Sequence, residues 1–160
     1  MEEKNAHLDE RNQYVIFQIG NEEFGLKILQ TKEIHPYTKI TRVPNAPHFV
    51  KGVINIRGEI IPVVDLRDRF DLDEAAVQKN TKIIAVLVRD YLVGFLVDSV
   101  KEVLWIDDNA IEPPPSVAGG IEKEYLNGVG KIDDRLIVIL NIEKVLNLES
   151  SEEIGEVQAS

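Results

Sequence analysis

Cysteine is missing from this chain altogether. That removes disulfides, thiolate metal sites and cysteine nucleophiles from consideration. Histidine is scarce, and none of the three is well placed for chemistry. His7 lies in a polar N-terminal stretch, while His35 and His48 sit beside prolines in connecting segments. None has the spacing of a paired metal site, so surface or capping roles fit them better than catalytic ones. No apolar run approaches the roughly 20 residues needed to cross a bilayer. The N-terminal MEEKNAHLDERNQ has no basic region followed by an apolar stretch, so it is not a secretory leader, and a cytoplasmic address is expected. Phosphate-cradling GxGxxG and GxxxxGK[ST] patterns and the GxSxG nucleophile elbow are absent as well. Positive charge is in deficit, with a formal net charge of -10. Nucleic-acid binding draws its affinity from clustered Lys and Arg, and an anionic membrane would repel such a chain. The expectation is a soluble binding module with no cofactor, no metal and no enzymatic activity.

A hydrophobic fraction of 44% is ordinary for a globular protein and argues against disorder throughout the 160 residues. Acidic residues crowd the ends, so residues 1–12 and 149–160 read as solvated tails, with room for a last helical turn near Glu149. Between them, Tyr14 to Ile19 is β-branched and aromatic and suits a buried strand. Asn21-Glu22-Glu23 reads as a turn, and Phe24 to Ile28 as the returning strand. From Leu29 the pattern predicts a short helix ending before Pro36. Ile40 to Val43 reads as a short strand closed by Pro44. Val53 to Ile56, a turn at Arg57-Gly58, and Ile60 to Val64 form a predicted hairpin. Asp65 is placed to cap a short helix carrying Leu66 and Phe70.

The same programme then starts again. Ile83 to Val88, a turn at Arg89-Asp90 and Val93 to Val97 repeat the first hairpin, with Gly94 standing 69 positions after Gly25. At that offset Lys32-Glu33-Ile34 meets Lys101-Glu102-Val103, and Pro44 meets Pro113. Gly52-Val53 meets Gly128-Val129 at an offset of 76, where Ile60 also meets Leu136 and Phe70 meets Leu146. The growth from 69 to 76 places an insertion between Pro113 and Gly128, around the triple proline and Ser116 to Gly120. Two β-rich halves of similar fold follow, each closing its strands into a small barrel that leaves few edges exposed. The expected division of residues 13–148 is a first barrel over about 13–75 and a second over about 80–148, joined by Asp71 to Asn80, with strand exchange between the halves allowed.

The densest acidic cluster, Asp65, Asp68, Asp71, Asp73 and Glu74, lacks the alternation and central glycine of a Ca²⁺ loop and reads as caps and a solvated face. Asp107-Asp108 reads as another cap or turn. Recognition is what remains. Arg57 occupies a hairpin tip, where its guanidinium can grip a carboxylate with paired hydrogen bonds. The competing reading is a surface arginine paired with nearby Glu59. Asp133 takes its place in the second half, so the duplication itself requires no arginine. Ile28, Thr31 and Ile34 recur at helical spacing and face either a groove between halves or the first barrel's own core. Trp105, the sole tryptophan, suits core and interface alike.

Val50 to Phe70, VKGVINIRGEIIPVVDLRDRF, resembles the signature of the CheW family and of the CheW-like regulatory domain of the histidine kinase CheA. The family's Asn-Leu-Arg-Gly stretch stands here as Asn55-Ile56-Arg57-Gly58, a conservative departure. Phe24-Gly25, Lys32-Glu33-Ile34, Val97 to Val100, Tyr125 to Gly130 and Ile137 to Leu146 extend the likeness over roughly residues 13 to 148. The resemblance implies a mainly β fold with short helices, built as two pseudo-repeated SH3-like β-barrel subdomains sharing a central core. It implies a non-enzymatic adaptor that links methyl-accepting chemoreceptors to CheA in cytoplasmic arrays at the membrane. Carried over, the receptor's helical tip would meet Arg57, Asn55 and Ile56, with Thr31, Glu33 and Ile34 from the neighbouring predicted helix. The kinase would meet the second half in a barrel-to-barrel contact, with Tyr91 and Leu92 at its first hairpin turn as anchors. The alternatives are a CheW-like adaptor of another chemosensory-type pathway, and a small β-barrel enzyme or ligand carrier with a deep pocket.

Overall fold

A strand buried on both faces needs no alternation of polar and apolar residues, and that is what the apolar runs of this chain become. The computed structural model describes residues 10–46, 49–115, 117–118 and 121–146. The strands are β1 (Gln13–Ile19), β2 (Glu22–Lys27), β3 (Thr31–Pro36), β4 (Val50–Ile56), β5 (Glu59–Asp65), β6 (Lys82–Val88), β7 (Tyr91–Val97), β8 (Ser99–Trp105), β9 (Ile111–Glu112), β10 (Val117–Ala118), β11 (Ile121–Glu122), β12 (Leu126–Ile132) and β13 (Arg135–Leu140). Two short helices, α1 (Leu66–Arg69) and α2 (Ile142–Leu146), follow β5 and β13. The fold is mainly β, with two pseudo-repeated SH3-like barrels packed on a shared core.

One sheet runs β8-β1-β2-β13-β12-β9 and the other β3-β6-β7-β5-β4. Replacing each strand by its counterpart in the repeat converts the first five strands of one order into the other. Each sheet therefore takes its central hairpin from one half of the sequence and its flanking strands from the other. The joins are parallel: Ile137 to Ile139 of β13 lie beside Glu23 to Gly25 of β2, and Val63 to Asp65 of β5 beside Gly94 to Leu96 of β7.

Both faces of each central strand are occupied. On β1, Tyr14 and Ile16 point into a small core with Ile106, Ile137 and Ile139. Val15, Phe17 and Ile19 point the other way, into the core between the sheets. On β6, Ile83 joins Ile54, Ile56, Ile61 and Val63 inside the second sheet, while Ile84, Val86 and Val88 face the shared core. A row of rings threads that core, with centroids 5.6 Å apart for Phe17–Phe24, 6.3 Å for Phe24–Phe70 and 5.7 Å for Phe70–Tyr125.

The repeat survives at the level of single hydrogen bonds. Asp65 N donates to Phe49 O, and 76 positions on Asn141 N donates to Tyr125 O. Phe49 and Tyr125 also flank the Arg69 guanidinium, at 4.7 and 5.0 Å from their ring centroids. Arg69 donates through Nε to the carbonyl of Val145, its own counterpart at the 76-residue offset. A residue that touches its own mate lies on the axis relating the halves, so Arg69 marks that axis.

Gly52 and Gly128, also counterparts, lie where another backbone passes close by. A Cβ on Gly52 would come within 2.2 Å of Thr41 O, and one on Gly128 within 2.7 Å of Glu112 O. Both sit at register shifts in their hairpins.

Several expectations are corrected. The helix foreseen from Leu29 is only a 3₁₀ turn, Ile28–Gln30, and Thr31 onward is strand, because β6 offers Thr31 to Pro36 a ladder that an isolated turn lacks. The strand foreseen at Ile40 to Val43 reduces to one bridge, Thr41 with Val53. The first hairpin turns at Gly20-Asn21, so Glu22 and Glu23 already belong to β2. Asp65 does cap α1, accepting from Arg67 N at 2.9 Å, and Asp107 likewise accepts from Asn109 N. Trp105 ends β8 half-buried opposite Gln13. The insertion holds the β10–β11 ribbon and a 3₁₀ turn, Lys123–Tyr125. The expected N-terminal tail ends earlier than residue 12, since Glu10–Asn12 form a 3₁₀ turn and Asn12 O accepts from Ile106 N at 2.8 Å. Residues 1–9 with His7, His48, and the C-terminal tail with Glu149 lie outside the described residues.

Candidate functional site

Because β5 and β7 run parallel, two hairpin tips stand side by side at one end of the second sheet. One is Arg57-Gly58, with φ of 52° and 86°; the other is Arg89-Asp90, with φ of 47° and 71°. Positive φ at both central residues marks the two-residue turn whose twist matches that of paired strands. For a residue bearing a Cβ this conformation costs on the order of 1 kcal/mol. Asn55 holds the first tip in shape, its Oδ1 accepting from Gly58 N at 2.8 Å.

Arg57 does not pair with Glu59. It reaches instead to Glu33 on β3, with Nη1 to Oε1 at 3.2 Å and Nη2 to Oε2 at 2.5 Å. β3 and β4 are the opposite edges of this sheet, so the pair spans the mouth of the barrel. The Arg57 hydrogen bond holds the Glu33 carboxyl below the ordinary glutamate value, with smaller help from the charges of Arg57 and His35. The Arg57 side chain stays 74% exposed, against 29% for Glu33, so one face of the guanidinium remains open to a partner.

Below this pair lies an open groove of about 490 Å³. Its floor is apolar: Ile56, Ile61, Ala85, Leu87 and Leu92. Its rim is charged: Lys32, Glu33, Arg57, Glu59 and Asp90. A polar rim around an apolar floor is the anatomy of a protein docking site. Ile56 is only 5% exposed, so it supports the tip from beneath and is not offered at the surface.

Strand geometry divides the remaining candidates. Residues opposite one another in a ladder share a face. Glu33 lies opposite Ala85 and Leu92 opposite Leu87, all on the groove side. Ile34 lies opposite Ile84, Thr31 opposite Val86 and Tyr91 opposite Val88, all on the side of the shared core. Ile34 and Tyr91 are 42% and 39% exposed there. Two corrections follow. Tyr91 and Leu92 begin β7 and point to opposite faces, so they do not form one apolar knob on a turn. Leu92, from the second half of the sequence, shares its groove with Arg57, from the first, because the β6–β7 hairpin is inserted beside β5.

The counterpart mouth on the first sheet is closed differently. Arg135 donates to Glu23 at 3.1 and 2.5 Å and to Glu102 at 3.0 Å, and Lys101 lies 3.9 Å from Glu23. Glu102 is the counterpart of Glu33, so both edge strands carry a glutamate tied to an arginine of the facing hairpin. The shared Lys-Glu dipeptide was the sequence signal for these clasps, and the arginines hid it by standing two positions apart in the repeat. The remaining histidine, His35, donates from Nδ1 to Pro36 O at 2.7 Å. Among the described residues no group of three His, Asp or Glu is arranged to hold a metal ion.

Residues 13–150 match the CheW-like domain. The chain belongs to the CheW-like domain family. Chemotaxis protein CheW of Klebsiella aerogenes is 38% identical over 148 residues, covering 92% of this chain and 89% of that protein. Its namesake in Bacillus subtilis is 32% identical, covering 96% and 99%. The crystal structure of scaffolding protein TtCheW from Thermoanaerobacter tengcongensis superposes with a TM-score of 0.79 at 37% identity, over 87% of this chain and 90% of that one. The CheW-like family is one of chemotaxis adaptors and scaffolds, and the Arg57 tip lies within the matched residues.

Proposed function

We propose that this chain is a non-enzymatic adaptor coupling methyl-accepting chemoreceptors to the histidine kinase CheA, working in the cytoplasm within receptor arrays at the membrane. The observation that carries the reading is the Arg57–Glu33 clasp over a groove with an apolar floor and a charged rim. A helical receptor tip fits it: apolar residues on one helix face seat on Leu92 and Leu87, and carboxylates meet the open side of Arg57. β3 is an edge strand, so a helical hairpin laid across it touches Lys32 and Glu33 on one side and Thr31 and Ile34 on the other. Asn55 and Ile56 act by shaping and supporting the tip. Leu92 goes with the groove, which leaves half-exposed Tyr91 as the anchor for the kinase's regulatory domain.

An adaptor of this kind needs separate patches at fixed relative geometry, so that a shift at one partner biases the state of the other. Each contact is modest alone, and multivalency in an array supplies the rest. The deciding experiment is calorimetric titration of the full chain against purified CheA regulatory domain and a receptor signalling fragment. Binding of both at separate sites is the expected result. Binding of neither, or strict competition between them, overturns the proposal, and turnover of a small molecule dependent on Asp65 would move the reading to a barrel enzyme.

A further inference from the structure

Two counterpart crossovers carry the chain between the sheets, and they are built differently. From β2 to β3 the chain passes through the 3₁₀ turn Ile28–Gln30; from β7 to β8 it passes through Asp98 alone. Asp98 is a junction. Its backbone N donates to Gln18 O at 3.0 Å, and its carboxylate accepts from Gly20 N, at the β1–β2 tip, at 2.7 Å. The same carboxylate accepts two bonds from Arg67 of α1, from Nε at 3.2 Å and Nη2 at 2.6 Å. Arg67 is held in turn by Nη1 donating to Asp73 O. A hairpin tip of the first sheet is thus bound to the helix that follows the second.

The repeat calls for a second such staple, and among the described residues there is none. The counterparts of Asp98, Arg67 and Gly20 are Leu29, Glu143 and Arg89. Leu29 is 55% exposed and has no charge to give, and among the described residues no ion pair joins the other two. The sheets are therefore tied at the axis by Arg69 and on one flank by Arg67–Asp98. The flank carrying Leu29, Thr31 and Ile34 has among the described residues no ion pair, only the single hydrogen bond from Thr31 Oγ1 to Lys27 O at 3.2 Å. An apolar core resists separation but is non-directional; directional ion pairs set an angle.

We propose that Arg67 and Asp98 are positioning residues that set the angle between the two sheets, and so the width of the unstapled flank where the receptor would lie against Thr31 and Ile34. This rests on the proposed function for its binding consequence, but not for its geometric one. The test uses the full chain, whose lack of cysteine permits clean spin labelling at Asp134→Cys on the first sheet's tip and Asn80→Cys at the head of β6. Pulsed electron–electron resonance should give a narrow distance distribution in the parent, broadened by Arg67→Leu and by the milder Asp98→Asn, and narrowed again by Arg67→Lys. Affinity for the receptor fragment, measured on unlabelled protein, should fall about fivefold in the same two variants without any contact residue being changed. Unchanged distances in the folded variants overturn the proposal, whatever happens to their melting temperatures. Broadened distances with unchanged receptor affinity overturn its binding half. Failure of the parent to bind the receptor fragment would sink the functional reading and leave the distance measurement to decide the staple.

Discussion

Arg57 and Glu33 face each other across the mouth of one barrel, from a hairpin tip on one edge and a strand on the other, joined by two hydrogen bonds of 3.2 and 2.5 Å. Their separation in sequence hides a closure that no local pattern displays.

Replacing Arg57 by Asp sets four carboxylates around the mouth, with Glu33, Glu59 and Asp90. Receptor-fragment affinity should drop about tenfold or more, as for arginine anchors of other interfaces, while CheA binding and the circular-dichroism spectrum stay close to wild type. Arg57→Gly separates backbone from side chain: positive φ is then free of strain, so stability holds while receptor binding still falls. Equal loss of both partners would remove Arg57 from the receptor face.

Tyr91 and Leu92 should give different phenotypes because they point to opposite faces. Leu92→Ser is expected to weaken the receptor fragment, and Tyr91→Ser to weaken CheA, in parallel titrations. Identical effects of the two changes, or no effect on CheA from Tyr91→Ser, would discard this division.

Gly52→Ala pushes a methyl group to 2.2 Å from Thr41 O. Backbone must move, and a loss of about 2 kcal/mol or more is expected from urea unfolding. Gly128→Ala should behave alike, since Glu112 O stands at 2.7 Å.

Arg69→Leu removes a guanidinium held between Phe49 and Tyr125 and leaves the Val145 carbonyl without that donor. The expected cost is on the order of 2 kcal/mol by chemical denaturation. A change within error of zero would mean that the axial contact does not contribute to stability.

Acid should weaken the fold through Asp98 and Glu23. Burial, the largest single influence on Asp98, pushes its pKa up, but the hydrogen bonds from Arg67 and Gly20 with the Arg67 charge more than offset it, and the net shift is downward. Glu23 is lowered chiefly by the hydrogen bond from Arg135. A carboxyl with a depressed folded pKa adds stability that is complete above its unfolded value and is lost as pH falls through the folded one. Asp98→Asn should therefore cost stability at pH 7, and the gap from wild type should close as pH drops below about 4. A gap independent of pH would contradict the assigned charge state.

Much of this was legible in the residues. The doubled hairpins, the Asp65 cap and the Arg57 tip follow from period, turn chemistry and the 69- and 76-residue offsets. β3 reads as helix in the sequence because Ile28, Thr31 and Ile34 satisfy helical spacing, and only pairing with β6, some fifty residues on, decides otherwise. Tyr91 and Leu92 read as one kinase-facing pair because the family resemblance puts that contact on the second half and both stand at its first hairpin turn; that they point to opposite faces shows only once β7 is paired with β6. The Arg57–Glu33 clasp stayed hidden behind the nearer candidate, Glu59.

The exchanged hairpins carry a last consequence. A single repeat of this topology cannot complete a sheet, since β5 has β7 as its neighbour and β13 has β2. Two separate copies would have to assemble as an obligate two-fold dimer, stable only at sufficient protomer concentration. Joining them through residues 71–80 makes that assembly intramolecular and independent of dilution. It also releases the two mouths from identity, so that one tip carries Arg57-Gly58 and the other Asp133-Asp134. A symmetric dimer would present the same mouth twice; the fused chain presents two opposite charges from one fold.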